Sequence, residues 1–149
     1  MKSKPLEPPV VLFAALALMP LLHFLLPLVR WIRFPWSWLG LLPLSAGIAL
    51  NLAADTRFTH AHTTVKPQGS PSRLITSGPF RISRHPMYLG MTLLLLGIAS
   101  FFGTLSPLMV TAAFPLVMEF RFVGMEEKKL AAAFGAEWDA YRRRVRRWI

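Results

Sequence analysis

Apolar positions along this chain run in blocks instead of alternating with polar ones. Residues 8–29, 35–54 and 87–118 contain no Lys, Arg, Asp or Glu, and these stretches of 22, 20 and 32 residues make up about half of the 149. A helix rising 1.5 Å per residue needs about 20 apolar residues to cross the hydrocarbon core of a bilayer. The first two blocks therefore predict one membrane helix each. The third is too long for one crossing, and Gly103-Thr104-Leu105-Ser106-Pro107 places turn-forming residues near its middle. It predicts a short helix over residues 87–102 and a second over 106–125, linked tightly enough to be antiparallel neighbours. The expected fold class is all-α: an integral membrane protein with about four transmembrane helices, as a single domain over residues 1–149.

Charge supports this count. Only 16% of residues are charged, too few to coat a soluble domain, where roughly a quarter is usual. With four spans, the first residues, the long middle loop and the last residues share one side of the membrane. That side holds 15 of the 17 Lys and Arg, leaving Arg30 and Arg33 on the other. Positive charge is retained in the cytoplasm, beside anionic lipid, so both termini and the middle loop are expected there. Trp31, Trp36 and Trp38 flank the Arg30/Arg33 turn as an aromatic belt at the opposite interface. The first apolar run follows Lys2 and Lys4, as in a signal peptide. It is long, however, and leads into Arg30-Trp31-Ile32-Arg33 with no small-residue cleavage site, which predicts a retained anchor.

Composition also excludes chemistry. There is no cysteine, hence no disulfide, thiolate metal site or cysteine nucleophile. His23, His60, His62 and His85 fall on different elements without carboxylates at ligand spacing, so no metal site is expected. The net charge of +10 comes with no aromatic platform or motif for nucleic acid. The run Arg142-Arg143-Arg144-Val145-Arg146-Arg147 reads most simply as a helix end facing headgroups, and a non-enzymatic protein that binds anionic lipid is one alternative reading.

Two stretches carry more specific chemistry. In Arg84-His85-Pro86-Met87-Tyr88-Leu89-Gly90, Pro86 sits where the third helix begins and pushes His85 into an extended conformation. The N–H groups after it lack helical partners and make an anion site near Arg84. Gly90 leaves room for a close approach to the backbone. At the end of the fourth helix, Glu119 and Arg121 are ionisable residues at membrane depth, which are costly and mark functional sites. Glu119 and Glu126 are seven apart and share a helix face, Arg121 points elsewhere, and Pro115 is expected to kink the helix. Taken singly, each has a plain reading as interfacial charge.

Taken together, Leu74-Ile75-Thr76-Ser77-Gly78-Pro79-Phe80, then Arg84-His85-Pro86-Met87-Tyr88-Leu89-Gly90, then Glu126-Glu127-Lys128-Lys129-Leu130 with Phe134-Gly135-Ala136-Glu137-Trp138 resemble the isoprenylcysteine carboxyl methyltransferase superfamily, which includes the phospholipid methyltransferases. The resemblance covers about residues 63–149; residues 8–54 match only in being apolar. It implies a bacterial-type inner-membrane methyltransferase using S-adenosylmethionine, with the cytoplasmic loop and the last helix forming the donor site. Carried over by position, that site comprises Leu74, Ile75, Gly78, Phe80, His85, Pro86, Met87, Tyr88 and Glu126. Arg121 is the candidate contact for the acceptor, and Glu119 or His85 the candidate base if the acceptor must lose a proton. The acceptor is expected to be a lipid or other lipophilic molecule, for instance the carboxylate of an isoprenylcysteine, a phospholipid amine or a small hydrophobic thiol. Phe80 departs from the tyrosine usual in the family, and Trp138 likewise replaces a tyrosine and is expected to be structural.

Overall fold

The computed structural model describes residues 6–61 and 72–149. His62 and most of the loop read at 56–72 lie outside the described residues, as do Lys2 and Lys4. Helix α1 (Pro8–Leu25) opens on two prolines, which are tolerated where helical N–H groups have no partner. A 3-10 turn, Trp36–Gly40, leads into α2 (Leu41–His60). α2 continues through Asp55 and Arg57, so the helix outlasts the apolar block that ends at residue 54. Helix α3 (Pro86–Phe102) ends at Gly103, whose φ of 69° closes the helix in the left-handed conformation. Helix α4 (Leu105–Met118) follows at once. It runs through a π turn, Glu119–Val123, into α5 (Gly124–Phe134), and α6 (Ala136–Arg144) comes after Gly135.

Three of these helical stretches, Pro8–Leu25, Trp36–His60 and Leu105–Phe134, are long and apolar enough to cross a membrane, and Pro86–Phe102 is a shorter apolar helix. At 17 residues α3 rises about 25 Å. It is also the helix the others enclose. Tyr88, Met91, Leu95 and Ala99 on α3 pack with Ala15 and Met19 of α1 and with Phe114 and Met118 of α4. The protein is an all-α integral membrane protein built around this central helix.

The contact between α2 and α3 explains four glycines. An added methyl at Gly47 would stand 2.5 Å from the Gly90 carbonyl oxygen and 2.7 Å from the Leu94 nitrogen. One at Gly97 would stand 2.6 Å from the Gly40 carbonyl oxygen. Gly40 at the end of the 3-10 turn and Gly47 on α2 are seven apart, as are Gly90 and Gly97 on α3, and the pairs face each other in antiparallel order. Small residues of this kind let membrane helices approach backbone to backbone. The approach to Gly90 that the sequence suggests is thus made by α2, with Gly47 and the Asn51 amide against it.

At the far end of α3 the loops are tied together. The Trp31 N–H donates to the Gly103 carbonyl at 3.1 Å and the Leu105 N–H to that of Val29 at 2.9 Å. His23 Nδ1 lies 2.8 Å from the Thr104 hydroxyl, and Ser106 donates to the Leu26 carbonyl. At the near end, the Arg84 N–H donates to the Arg146 carbonyl at 3.0 Å. The segment before α3 and the residues after α6 therefore share one end, as the four-helix reading of the charges requires.

Candidate functional site

Two clusters meet at the near end of α3, one apolar and one ionic. In the apolar one, Phe80, Trp138 and Tyr141 are buried with Ala54, and Leu74, Ile75 and Met87 pack against them. Four of the sequence-predicted donor residues, Leu74, Ile75, Phe80 and Met87, are therefore gathered in one place. The Phe80 ring meets Phe58 edge-on at 5.4 Å, and its carbonyl accepts a 2.7 Å bond from the Tyr141 hydroxyl. Burial pushes the Tyr141 phenol up to about 12, so it stays protonated and able to donate. Trp138 is buried as a structural residue and has the Arg84 guanidinium 5.6 Å from its ring centre. Gly78 turns with φ of 62° beside the Arg57 guanidinium, a backbone conformation that other residues rarely adopt.

The ionic cluster begins at His85. With Pro86 as first helical residue, His85 takes φ −124° and ψ 59°, outside the helix and buried at 6% exposure. The first helical bond of α3 runs from the Leu89 N–H to the His85 carbonyl at 3.1 Å. The Met87 and Tyr88 N–H groups precede it and have no carbonyl within the helix to receive them. The His85 ring lies parallel to that of Tyr88, with centres 5.7 Å apart.

Both ring nitrogens of His85 face carboxylates: Nδ1 lies 3.3 Å from Glu126 Oε2 and Nε2 3.5 Å from Glu127 Oε1. The Tyr88 hydroxyl donates to the other oxygen of Glu126. A neutral imidazole carries one N–H, so only the imidazolium serves both carboxylates. Burial opposes that charge, but the bonds to Glu126 and Glu127 outweigh it and hold the His85 pKa above 6.5.

Glu127 is the hub of the remaining contacts. Arg84 Nη1 reaches its Oε1 at 3.0 Å. Arg147 grips it with two atoms, Nε to Oε1 at 3.1 Å and Nη2 to Oε2 at 2.5 Å. The third nitrogen of Arg147 reaches Glu119 Oε1 at 2.5 Å, and Trp148 Nε1 donates to Glu119 Oε2 at 3.1 Å.

The geometry corrects two readings of the sequence. The face-mate of Glu119 is Glu127, eight residues on, not Glu126. The π turn at Glu119–Val123 inserts one residue into the helical register, so a spacing of eight does what seven does in a regular helix. α4 stays helical through Pro115, and the π turn begins four residues beyond it. Arg147, read as part of a headgroup-facing run, is engaged with two carboxylates.

Arg121 is not brought to the ionic cluster. It lies with Phe120, Gly124, Met125 and Lys128 along an open groove of about 510 Å³ on the outer face of the π turn and α5. Glu119 is occupied by Arg147 and Trp148, apart from both Arg121 and His85. Glu127, Arg147 and Ser83 are the residues that sequence reasoning missed. The adjacency of Glu127 to Glu126 is the one available signal, since Arg147 meets Glu127 and Glu119 from 20 and 28 residues away and Ser83 meets Arg147 from 64.

The fold has a counterpart among known proteins. The solved structure of the eukaryotic intramembrane Ras methyltransferase, isoprenylcysteine carboxyl methyltransferase, has the same fold. The TM-score is 0.63 at 22% identity, and the match covers 95% of this chain but 51% of that one. The chain thus spans about half the length of that enzyme. No curated protein matches the sequence. The model of the phospholipid methyltransferase family matches residues 36–137, from the turn before α2 into α6. With about two thirds of its length matched and the fold shared, the chain belongs to the phospholipid methyltransferase family of membrane methyltransferases.

Proposed function

We propose that this protein transfers a methyl group from S-adenosylmethionine to a lipophilic acceptor reached from the bilayer, with both termini and the donor site on the cytoplasmic side. The observation that carries the reading is Glu126: its carboxylate is held by Tyr88 and His85 at the start of α3, where the first N–H groups have no helical partner, so anion-binding and cation-binding groups lie side by side. S-adenosylmethionine supplies a methyl group on a sulfonium, open to displacement, and carries a carboxylate, an ammonium and an adenine.

The residues present suit that set of groups. The Met87 and Tyr88 N–H groups and the Arg84 Nε–H, which is buried without a partner among the described residues, are donors for a carboxylate. Glu126 suits an ammonium, and the Tyr88 face suits a sulfonium, worth roughly 0.5–2 kcal/mol. The apolar wall of Leu74, Ile75 and Met87 suits a flat base.

Arg121 and Lys128, spaced along the open groove beside Phe120 and Met125, give an acceptor apolar cover and a cationic contact. A carboxylate acceptor, such as that of an isoprenylcysteine, has no proton to lose and needs only to be held. A phospholipid amine is a second reading, favoured by the family model; it must lose a proton, and His85 can take it only after giving up the one it shares with Glu126 and Glu127.

The test has two arms. Titration of the detergent-solubilised protein with S-adenosylmethionine is expected to saturate, and absence of saturable binding would overturn the reading. Incubation of the loaded protein with methyl-labelled donor and membrane extract is expected to label a lipid-soluble product. Base-labile label marks an ester, base-stable label an amine.

A further inference from the structure

The arginine run at residues 142–147 has divided fates. Arg142 pairs with Asp139 on the surface of α6, whereas Arg147 reaches into the ionic cluster by two routes. Its side chain forks onto Glu127, which faces His85 Nε2. Its backbone carbonyl accepts a 3.0 Å bond from the Ser83 hydroxyl, which in turn accepts a 3.1 Å bond from the His85 N–H. Ser83 is fully buried, so this hydroxyl joins two chain segments away from water. The segment is extended at Val145, and it lies along residues 83–85 with the Arg84 N–H bonded to the Arg146 carbonyl.

We propose that Arg147 is a positioning residue for donor binding, acting through Glu127 and Ser83 to fix the His85 ring and the start of α3. Residues 145–149 are then a strap that completes the site. The proposal rests on the donor-site reading above. Physically, Glu127 Oε1 is shared by Arg84, His85 and Arg147. A two-point grip by a planar guanidinium fixes the carboxylate plane in a way that Arg84, touching one oxygen, cannot. The groups facing His85 are Glu126 and Glu127 from α5, Tyr88 from α3 and Arg84 beside it, with Arg147 and Glu119 one contact further out. Removing the Arg147 cation leaves the field of Glu127 less compensated.

The test uses the full chain in detergent, with histidine labelled for NMR and His85 assigned by its loss in H85Q. In R147Q the His85 titration midpoint is expected to move upward, and S-adenosylmethionine affinity to fall at least tenfold. In R147K, which restores the charge without the fork, the midpoint is expected to return toward wild type while affinity stays at least threefold reduced; should R147Q not fold, R147K carries the test. E119Q, which keeps the grip on Glu127, is expected to leave affinity within threefold.

A midpoint that stays put or falls toward that of an exposed histidine would overturn the proposal, since simple loosening exposes the ring. So would R147Q affinity within twofold of wild type, or an E119Q loss as large as that of R147Q. If the wild-type protein shows no saturable donor binding, the functional reading fails instead, and the midpoint alone decides the link from Arg147 to His85.

Discussion

Helix α3 is held in two different ways along its length. Through its middle it meets α2 along a glycine seam, where Gly47 faces Gly90 and Gly40 faces Gly97 with backbone against backbone and no charge involved. At its start it is held by His85 among Glu126, Glu127, Arg84 and Arg147. The seam tolerates no added volume because the obstructing atoms are main chain, which cannot turn aside. The ionic end gains nothing from shape alone, since burying these charges repays its desolvation cost only when each finds a partner. The seam is therefore held by shape, and the ionic end by mutually paired charges.

The hardest blow to this contrast is at the seam. Gly47→Val places branched carbons against the Gly90 carbonyl oxygen and the Leu94 nitrogen. It is expected to cost about 3 kcal/mol, the upper end of overpacking penalties, read as thermal unfolding in detergent. A Gly47→Val protein that is as stable as wild type would show that the two helices are free to part.

At the ionic end the expected signature is reversed, with function falling more than stability. Glu126→Ala removes the group that Tyr88 and His85 both address. It is expected to weaken S-adenosylmethionine binding by about 1.5–3 kcal/mol, the value of a lost charged hydrogen bond, in a protein that still unfolds cooperatively. pH sharpens the same point. The His85 pKa is raised above 6.5 in the folded protein, so the folded state holds this proton more tightly than the unfolded one. The resulting stability is fully present below about pH 6.5 and is lost as pH rises through the folded value. H85Q is expected to flatten that slope, and a wild-type protein whose stability rises across this window would contradict the sign.

Much of the scaffold could be read from the sequence because it follows local rules. Uncharged blocks of spanning length, the Gly103–Pro107 turn and the proline start of α3 all appear where expected. His85, Tyr88 and Glu126 were singled out in advance, and they do meet. What the sequence concealed depends on register or on distant partners. One residue inserted at the π turn moves the face-mate of Glu119 from Glu126 to Glu127, and no spacing rule for a regular helix contains that step. Gly90 shows that something must approach it, but only the packed structure identifies Gly47. Arg147 looks like any other member of an arginine run until the chain brings it back to Ser83.

Beside the ionic end, in the apolar cluster, the Tyr141–Phe80 bond is a buried neutral tie that anchors the Gly78–Arg81 turn to α6. Tyr141→Phe keeps the ring and removes the hydroxyl, leaving a carbonyl without its partner. The expected cost is about 1 kcal/mol, with donor affinity changed less than in Glu126→Ala. A larger effect on affinity than on unfolding would move this turn out of the scaffold and into the site.

The smallest effect is expected just outside the ionic end, where the same residue types sit in water. Arg142 Nε meets Asp139 at 2.9 Å with both side chains about half exposed. Exposed pairs three residues apart gain little, because solvent screens them and ordering two long side chains costs entropy. Asp139→Asn is therefore expected to shift stability by no more than about 0.5 kcal/mol and to leave S-adenosylmethionine affinity unchanged, read by the same unfolding and titration assays. Arg147 is only three to five residues beyond the first three arginines of the run, yet its partner Glu127 is only 13% exposed. If Asp139→Asn weakened donor binding as Arg147→Gln is expected to, burial would not be what separates them, and the whole basic run would belong to the site.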